Sequence, residues 1–199
     1  LREAGHDPVA LDLPSAGGTG NLADDVAVVR AAIEQSSEPT AVVAHSYGGI
    51  PTTVATAGLR QVQHLVYVCA FMLDQGESLL SAIDHVVPPW IGVDEAAGVS
   101  RVLDPMNAFY LDVDPADAEA AVARLRTQTL SSFADPVTAV GWRDIDSTYV
   151  LCTEDGAIPF AAQQAMSARA GTVHTMESSH SPFLSQPLEL VTLLDGAVS

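Results

Sequence analysis

The stretch Thr40-Ala41-Val42-Val43-Ala44-His45-Ser46-Tyr47-Gly48-Gly49 decides the fold. Residues 40–44 form an apolar, partly β-branched run of strand length. A serine and two glycines break that run, and residues 50–57 continue as a helix closed by Gly58. A strand that turns sharply into a helix exposes the residue at the turn, here Ser46. Ala44 and Gly48, two places before and two after, are small enough for such a turn to pack closely. A serine hydroxyl is a weak nucleophile that needs this exposure and a base. The amide of Tyr47, at the start of the helix, is placed to donate to an oxyanion. Ser46 could instead be an ordinary helix cap, but the strand–turn–helix setting favours the nucleophile.

Strand-like and helix-like runs alternate outward from this turn. Residues 8–13 (PVALDL), 62–70 (VQHLVYVCA), 148–152 (TYVLC) and 172–177 (TVHTME) read as strands. Asn21, with Asp24 three residues on, caps a helix whose apolar stripe is Leu22, Val26, Val29 and Ile33. Further helices are predicted over 159–170, before Gly171, and from Pro187 to the end. Strands alternating with helices imply a mostly parallel sheet covered on both faces. Residues 74–146 break the alternation. They hold the turn Pro88-Pro89-Trp90 and a helix capped at Asp114-Pro115, with Ala118, Val122 and Leu125 on one face. Such a block is too long for a loop, so it is read as an inserted helical cap. The expected organisation is a core of residues 1–73 and 147–199 with a cap over 74–146.

The chain has 199 residues and a formal net charge of −17, and its eight basic residues are all Arg. So acidic a body argues against nucleic acid and against anionic membranes, which both require clustered cations. No apolar run approaches the ~18 residues of a membrane span. The two cysteines, Cys69 and Cys152, end apolar runs and are expected as reduced, buried thiols in a cytoplasmic protein. No oligomeric state is legible.

In folds with this turn the chain order is serine, acid, histidine. Only His174 and His180 lie late enough, and His174 falls inside a strand. His180, in Ser178-Ser179-His180-Ser181-Pro182 directly after the last strand, is the candidate base. The acid that orients it should follow the strand at 148–152, where Glu154 and Asp155 both stand, with the shorter Asp155 preferred. His45 is expected to pack beneath the turn. Phe71, Met72, Trp90, Phe109 and Trp142 are candidates for an apolar pocket, as are Met106 and Tyr110, although such residues are more often plain core.

GHDPVALDLPSAG (5–17), AHSYGG (44–49), LVYVCAFMLDQGESL (65–79), YVLCTEDGAIP (149–159) and SSHSPFLSQP (178–187) anchor nearly the whole chain to one pattern. It resembles the α/β-hydrolase superfamily, in particular the small lid-bearing group of bacterial esterases, methyl-salicylate-type esterases and hydroxynitrile lyases. The resemblance implies a carboxylesterase-like activity on small esters through an acyl-enzyme on Ser46, with no cofactor or metal and with the insert lining the pocket. Hydroxynitrile lyases carry a Lys after the catalytic His, where this chain has Ser181, so lyase activity is not expected. The Asp nucleophile of dehalogenases and epoxide hydrolases is likewise replaced by Ser46. The family begins with a strand ending in His-Gly, whose loop supplies a second oxyanion amide. By that pattern the chain is N-terminally truncated, and strands 8–13 and 40–44 should flank an open position. The rival expectations are a ligand-binding receptor that retains the triad and an inactive fragment.

Overall fold

The computed structural model describes residues 1–198. Its strands are β1 (Thr40–His45), β2 (Val62–Val68), β3 (Ile91–Asp94), β4 (Val99–Val102), β5 (Gln128–Thr129), β6 (Ser147–Cys152) and β7 (Thr172–Met176). Its helices are α1 (Leu22–Glu34), α2 (Gly49–Ala55), α3 (Leu79–Ala82), α4 (Pro105–Phe109), α5 (Pro115–Val122), α6 (Leu130–Ala134), α7 (Phe160–Ser167), α8 (Pro182–Ser185) and α9 (Pro187–Val198). β1, β2, β6 and β7 form a parallel sheet in that order. No helix among the described residues is long and apolar enough to cross a membrane.

Side-chain alternation divides the sheet between two helical layers. Leu65, Tyr67, Tyr149 and Leu151 face the side where α1, α2 and α7 pack through Val29, Ile33, Ile50 and Met166. Val66, Val68, Val150 and Cys152 face the other side, against Leu190 and Leu194 of α9. Each fully buried side chain of this kind is worth about 1.5–3 kcal/mol, so a one-residue slip of any central strand would exchange both layers at once. The buried tyrosines keep their hydroxyls satisfied. Tyr67 bonds Thr53 Oγ1 at 2.8 Å, and Tyr149 donates to the carbonyl of Ala70 at 2.7 Å. Asn21 and Asp24 form the reciprocal cap of α1.

Residues 74–146 differ from the helical cap expected. Besides α3 to α6 they carry an antiparallel sheet, β3–β4–β5. Ile91-Gly92-Val93-Asp94 places its apolar residues at every second position, but Val99-Ser100-Arg101-Val102 does not alternate, and each strand is only four residues long. The two ends of the segment are stitched together: Gly76 N–H donates to the carbonyl of Val137 at 2.9 Å, and Val137 N–H to that of Glu77 at 2.8 Å. β5 is joined to the turn at 14–20, where Thr129 Oγ1 donates to the carbonyl of Gly20 at 2.6 Å.

The strand expected at residues 8–13 does not form. A strand has no internal hydrogen bonds and needs a ladder partner, and among the described residues β1 pairs only with β2. Val9 is accordingly 76% exposed.

The close packing expected at Gly48 lies one residue further on. A Cβ on Gly48 would meet nothing within 4 Å, whereas one on Gly49 would stand 2.4 Å from the carbonyl oxygen of Phe71. Gly49→Ala should therefore cost about 1–3 kcal/mol through overpacking against main chain. Gly48→Ala, at a helical φ of −55°, should be neutral or stabilising by up to about 1 kcal/mol. Urea denaturation of the two variants checks this, and equal losses would refute it.

Candidate active site

At the end of β1 the chain reverses through Ser46, whose φ is 53°. A non-glycine residue in this left-handed region is uncommon and costs of order 1–3 kcal/mol. The amide of Phe71, just past β2, donates to the Ser46 carbonyl at 3.0 Å and holds the turn. Ser46 Oγ, so presented, lies 2.9 Å from His180 Nε2, and His180 Nδ1 lies 2.7 Å from Asp155 Oδ2. The three residues come from the ends of β1, β6 and β7, at the carboxyl edge of the parallel sheet, where such folds place their sites.

The protons on this line follow from what each atom can do. Asp155 Oδ1 accepts from the amides of Ala157 at 2.7 Å and Ile158 at 2.9 Å, and Oδ2 accepts from Gln163 Nε2 at 3.1 Å. An ionised carboxylate only accepts, so Nδ1 of His180 carries the hydrogen and Nε2 is left to accept from the Ser46 hydroxyl. Glu154 is exposed, and it is Asp155 that stands on the imidazole. Gln163, on α7, escaped the sequence reading. Its amide also bonds both main-chain groups of Cys152 and the carbonyl of Ile158, and nothing in a run of helical residues marks it.

The loop after β7 must cross the ends of β6 and β2 to reach β1, and it is tied down on the way. His45 Nε2 donates to the His180 carbonyl at 2.7 Å, with the two rings 4.5 Å apart. Cys69 Sγ donates to the same carbonyl at 3.4 Å. His45 therefore flanks the His180 ring rather than packing beneath the turn. Burial, and then the proximity of His180, lower its pKa to about 3. Burial, then the neighbouring Cys152, push the Cys69 thiol up. Both cysteines are free and buried. Donor atoms of His45, Cys69 and His180 fall within 4.8 Å of one another. His45 Nε2 and Cys69 Sγ are spent on one carbonyl, however, and both nitrogens of His180 are spent on Ser46 and Asp155, so a metal there would have to break that line.

Above Ser46 a cavity of about 670 Å³, counting space open to solvent, runs between sheet and insert. Phe71, Trp90, Phe109 and Phe133 line it, with Ser100, Arg101, Arg126 and Gln128 among the polar residues at its wall. Met72 and Trp142 do not belong to it. Successive residues of an extended chain face opposite ways, so with Phe71 in the cavity Met72 is sealed in the core. The Trp142 indole donates to the carbonyl of Leu73 at 3.0 Å. Met106 is absent from the cavity too, and Tyr110 packs with Val113 and Ala118. Tyr47 forms part of the wall. Its hydroxyl donates to the fully buried Asp25 at 2.7 Å, and Asp25 also accepts from the Ser15 amide at 2.9 Å. Burial, then Asp25, drive the Tyr47 phenol pKa upward. Asp25 was not singled out in the sequence, where it reads as an ordinary first-turn acid of α1.

The lowered pKa of His45 bears on stability. Above pH about 6.5 neither folded nor unfolded chain holds a proton on this ring. Below it the unfolded chain takes one up that the folded ring refuses, so stability falls as pH drops towards 3. His45→Gln, which keeps an N–H donor, should flatten the dependence of unfolding free energy on pH between about 6.5 and 4. Unchanged slopes in denaturant titrations across that range would refute the assignment.

Comparison with known proteins agrees with this architecture. Residues 1–193 match the model of the alpha/beta hydrolase family. A curated relative, alpha/beta hydrolase nvfD of Aspergillus novofumigatus, is 28% identical over 218 residues, covering 99% of this chain and 87% of that protein. The crystal structure of polyneuridine aldehyde esterase superposes with a TM-score of 0.82 at 20% identity, covering 100% of this chain and 90% of the other. That of the pyrethroid hydrolase PytH superposes at 0.81 with 16% identity, over 98% and 87%. With its sheet, its sharp turn and its match along nearly the whole length, the chain belongs to the alpha/beta hydrolase family.

Proposed function

We propose that the protein is a serine carboxylesterase in which Ser46 is the nucleophile, His180 the general base and Asp155 the residue that orients it. The observation that carries this reading is the unbroken hydrogen-bonded line Ser46–His180–Asp155, whose Ser46 end lines a largely apolar cavity. Ser46 Oγ attacks the ester carbonyl while its proton passes to His180 Nε2. The carbonyl π electrons move onto oxygen, and the Tyr47 amide stabilises the oxyanion. Collapse expels the alcohol, which takes the proton from His180 and leaves an acyl group on Ser46. Water, deprotonated by the same nitrogen, releases the acid and restores the hydroxyl. Asp155 keeps the hydrogen on Nδ1 and offsets the imidazolium charge at each stage.

The cavity suits small esters with one apolar or aromatic side, which Phe71, Trp90 and Phe109 would flank. Residues 74–146 act as the cap over it. The reduced, buried cysteines fit a cytoplasmic setting. Polyneuridine aldehyde esterase and the pyrethroid hydrolase carry related activities in their names.

A fluorophosphonate probe should label the protein on Ser46, and Ser46→Ala should abolish both labelling and hydrolysis of short-chain and aryl nitrophenyl esters. Labelling that survives Ser46→Ala, or a wild type inert to both reagents, would sink the proposal. Asp155→Asn should lower kcat by about 10⁴-fold through loss of tautomer control, while Glu154→Gln leaves it within about twofold, since surface changes away from the chemistry do little. Steady-state kinetics on one aryl ester reads both, and the reverse pattern would reassign the acid.

A further inference from the structure

Three contacts run from one short turn of the insert to the loop that carries His180. Asp112, in the turn between α4 and α5, accepts the amide hydrogen of Ser179 on Oδ2 at 3.0 Å. Ser179 Oγ donates to the carbonyl of Phe109 at 3.2 Å. The Phe109 ring stacks on the His180 imidazole, with centroids 5.1 Å apart and planes at 28°. Phe109 is itself braced edge-on by Trp90 at 5.4 Å. The His45 ring also lies 4.5 Å from the imidazole, tilted by 51°, and Phe183 stands edge-on to His45 at 5.0 Å. The ring of His180 thus contacts one ring from the insert and one from β1. The residue before it is hydrogen-bonded to the insert through both its amide and its hydroxyl.

We propose that the turn at residues 109–112, with Asp112 as its anchor, positions His180, so that the base is aligned for Ser46 only while the insert is seated on the sheet. This rests on the esterase reading above and extends it to the insert. Asp112 touches neither His180 nor any reacting atom, so it is a positioning residue. Its carboxyl state agrees with the role. Burial pushes its pKa up, but hydrogen bonds from Ser179, Ser185 and Ser178 outweigh that and hold it below the usual carboxylate range. The carboxylate, which can only accept, therefore faces the Ser179 amide at neutral pH. The His180 carbonyl itself is tied from the sheet side, through His45 and Cys69. Losing Asp112 would remove the bond to the Ser179 amide and leave the Ser179 hydroxyl on the Phe109 carbonyl as the hydrogen bond from this turn to the loop. A misplacement of about 1 Å at a reacting group can cost on the order of 100-fold in rate.

Asp112→Ala and Asp112→Asn test the idea, with hydrogen exchange of residues 177–182 measured beside kinetics on an aryl ester. Asp112→Ala should speed exchange in that segment and lower kcat by about tenfold or more, with KM within about twofold, because ground-state binding is untouched. Asp112→Asn keeps a carbonyl oxygen for the Ser179 amide and should recover most of both losses. A purely structural residue would instead lower melting temperature and folded fraction without this split between kcat and KM or the rescue by Asn. Unchanged exchange in Asp112→Ala overturns the clamp whatever the chemistry of the site. Faster exchange with unchanged kcat overturns its link to the base. Absence of fluorophosphonate labelling in the wild type would overturn the esterase reading and not the clamp, which the exchange rates report independently.

Discussion

The Phe71 amide donates to the carbonyl of Ser46, and the Phe71 carbonyl lies where a side chain on Gly49 would be. Between them these contacts hold Ser46 at a φ it would not choose. The strain is small beside the burial of β6 and of residues 65–68 of β2, whose side chains are sealed on both faces of the sheet. A strained residue persists only where its surroundings over-determine it, and here the end of one strand sets the geometry of the turn after its neighbour. The reach of the Ser46 hydroxyl, the start of α2 and the placing of the Tyr47 amide all follow from that junction.

Two carboxylates buried near Ser46 show different solutions to one problem. Asp155 is surrounded by four donors: two amides, the Gln163 side chain and the His180 ring. Asp25 has one amide and the Tyr47 hydroxyl. Leaving a buried donor or acceptor unsatisfied costs about 1–3 kcal/mol, so each set of donors is locked in place by the acid it serves. In Asp25 that lock reaches from α1 to Tyr47, and in Asp155 from α7 to His180. Helices on the outer layer thereby fix groups at the sheet edge without touching the cavity themselves.

Much of this was legible in the sequence because the chemistry is local in sequence at each point. The sharp turn is spelled out in six consecutive residues, and His180 and Asp155 each stand in the loop that follows a strand. The cap of α1 was equally readable, since Asn21 and Asp24 satisfy each other. What failed was whatever depends on partners distant in the chain. Residues 8–13 have the composition of a strand, but a ladder needs a neighbour that composition does not supply. Phe71 and Met72 look alike as letters, and only the direction of the extended chain separates them. Gln163, Asp25 and Asp112 act through contacts 8, 22 and 67 residues away along the chain, so no spacing rule could mark them.

The paired rung between Gly76 and Val137, extended by the bond from Val137 to Glu77, means that the excursion from the sheet leaves and returns at nearly one point. Arg169 reinforces that point from α7 by bonding both Glu77 and the carbonyl of Met72. A segment of different length and sequence can thus be spliced across the same rung without altering the register of β2 against β6. Loop exchange between relatives is open to this scaffold as a route to new pocket shapes. The graft carries one obligation: it has to bring its own acceptor for the Ser179 amide and its own ring for the face of His180.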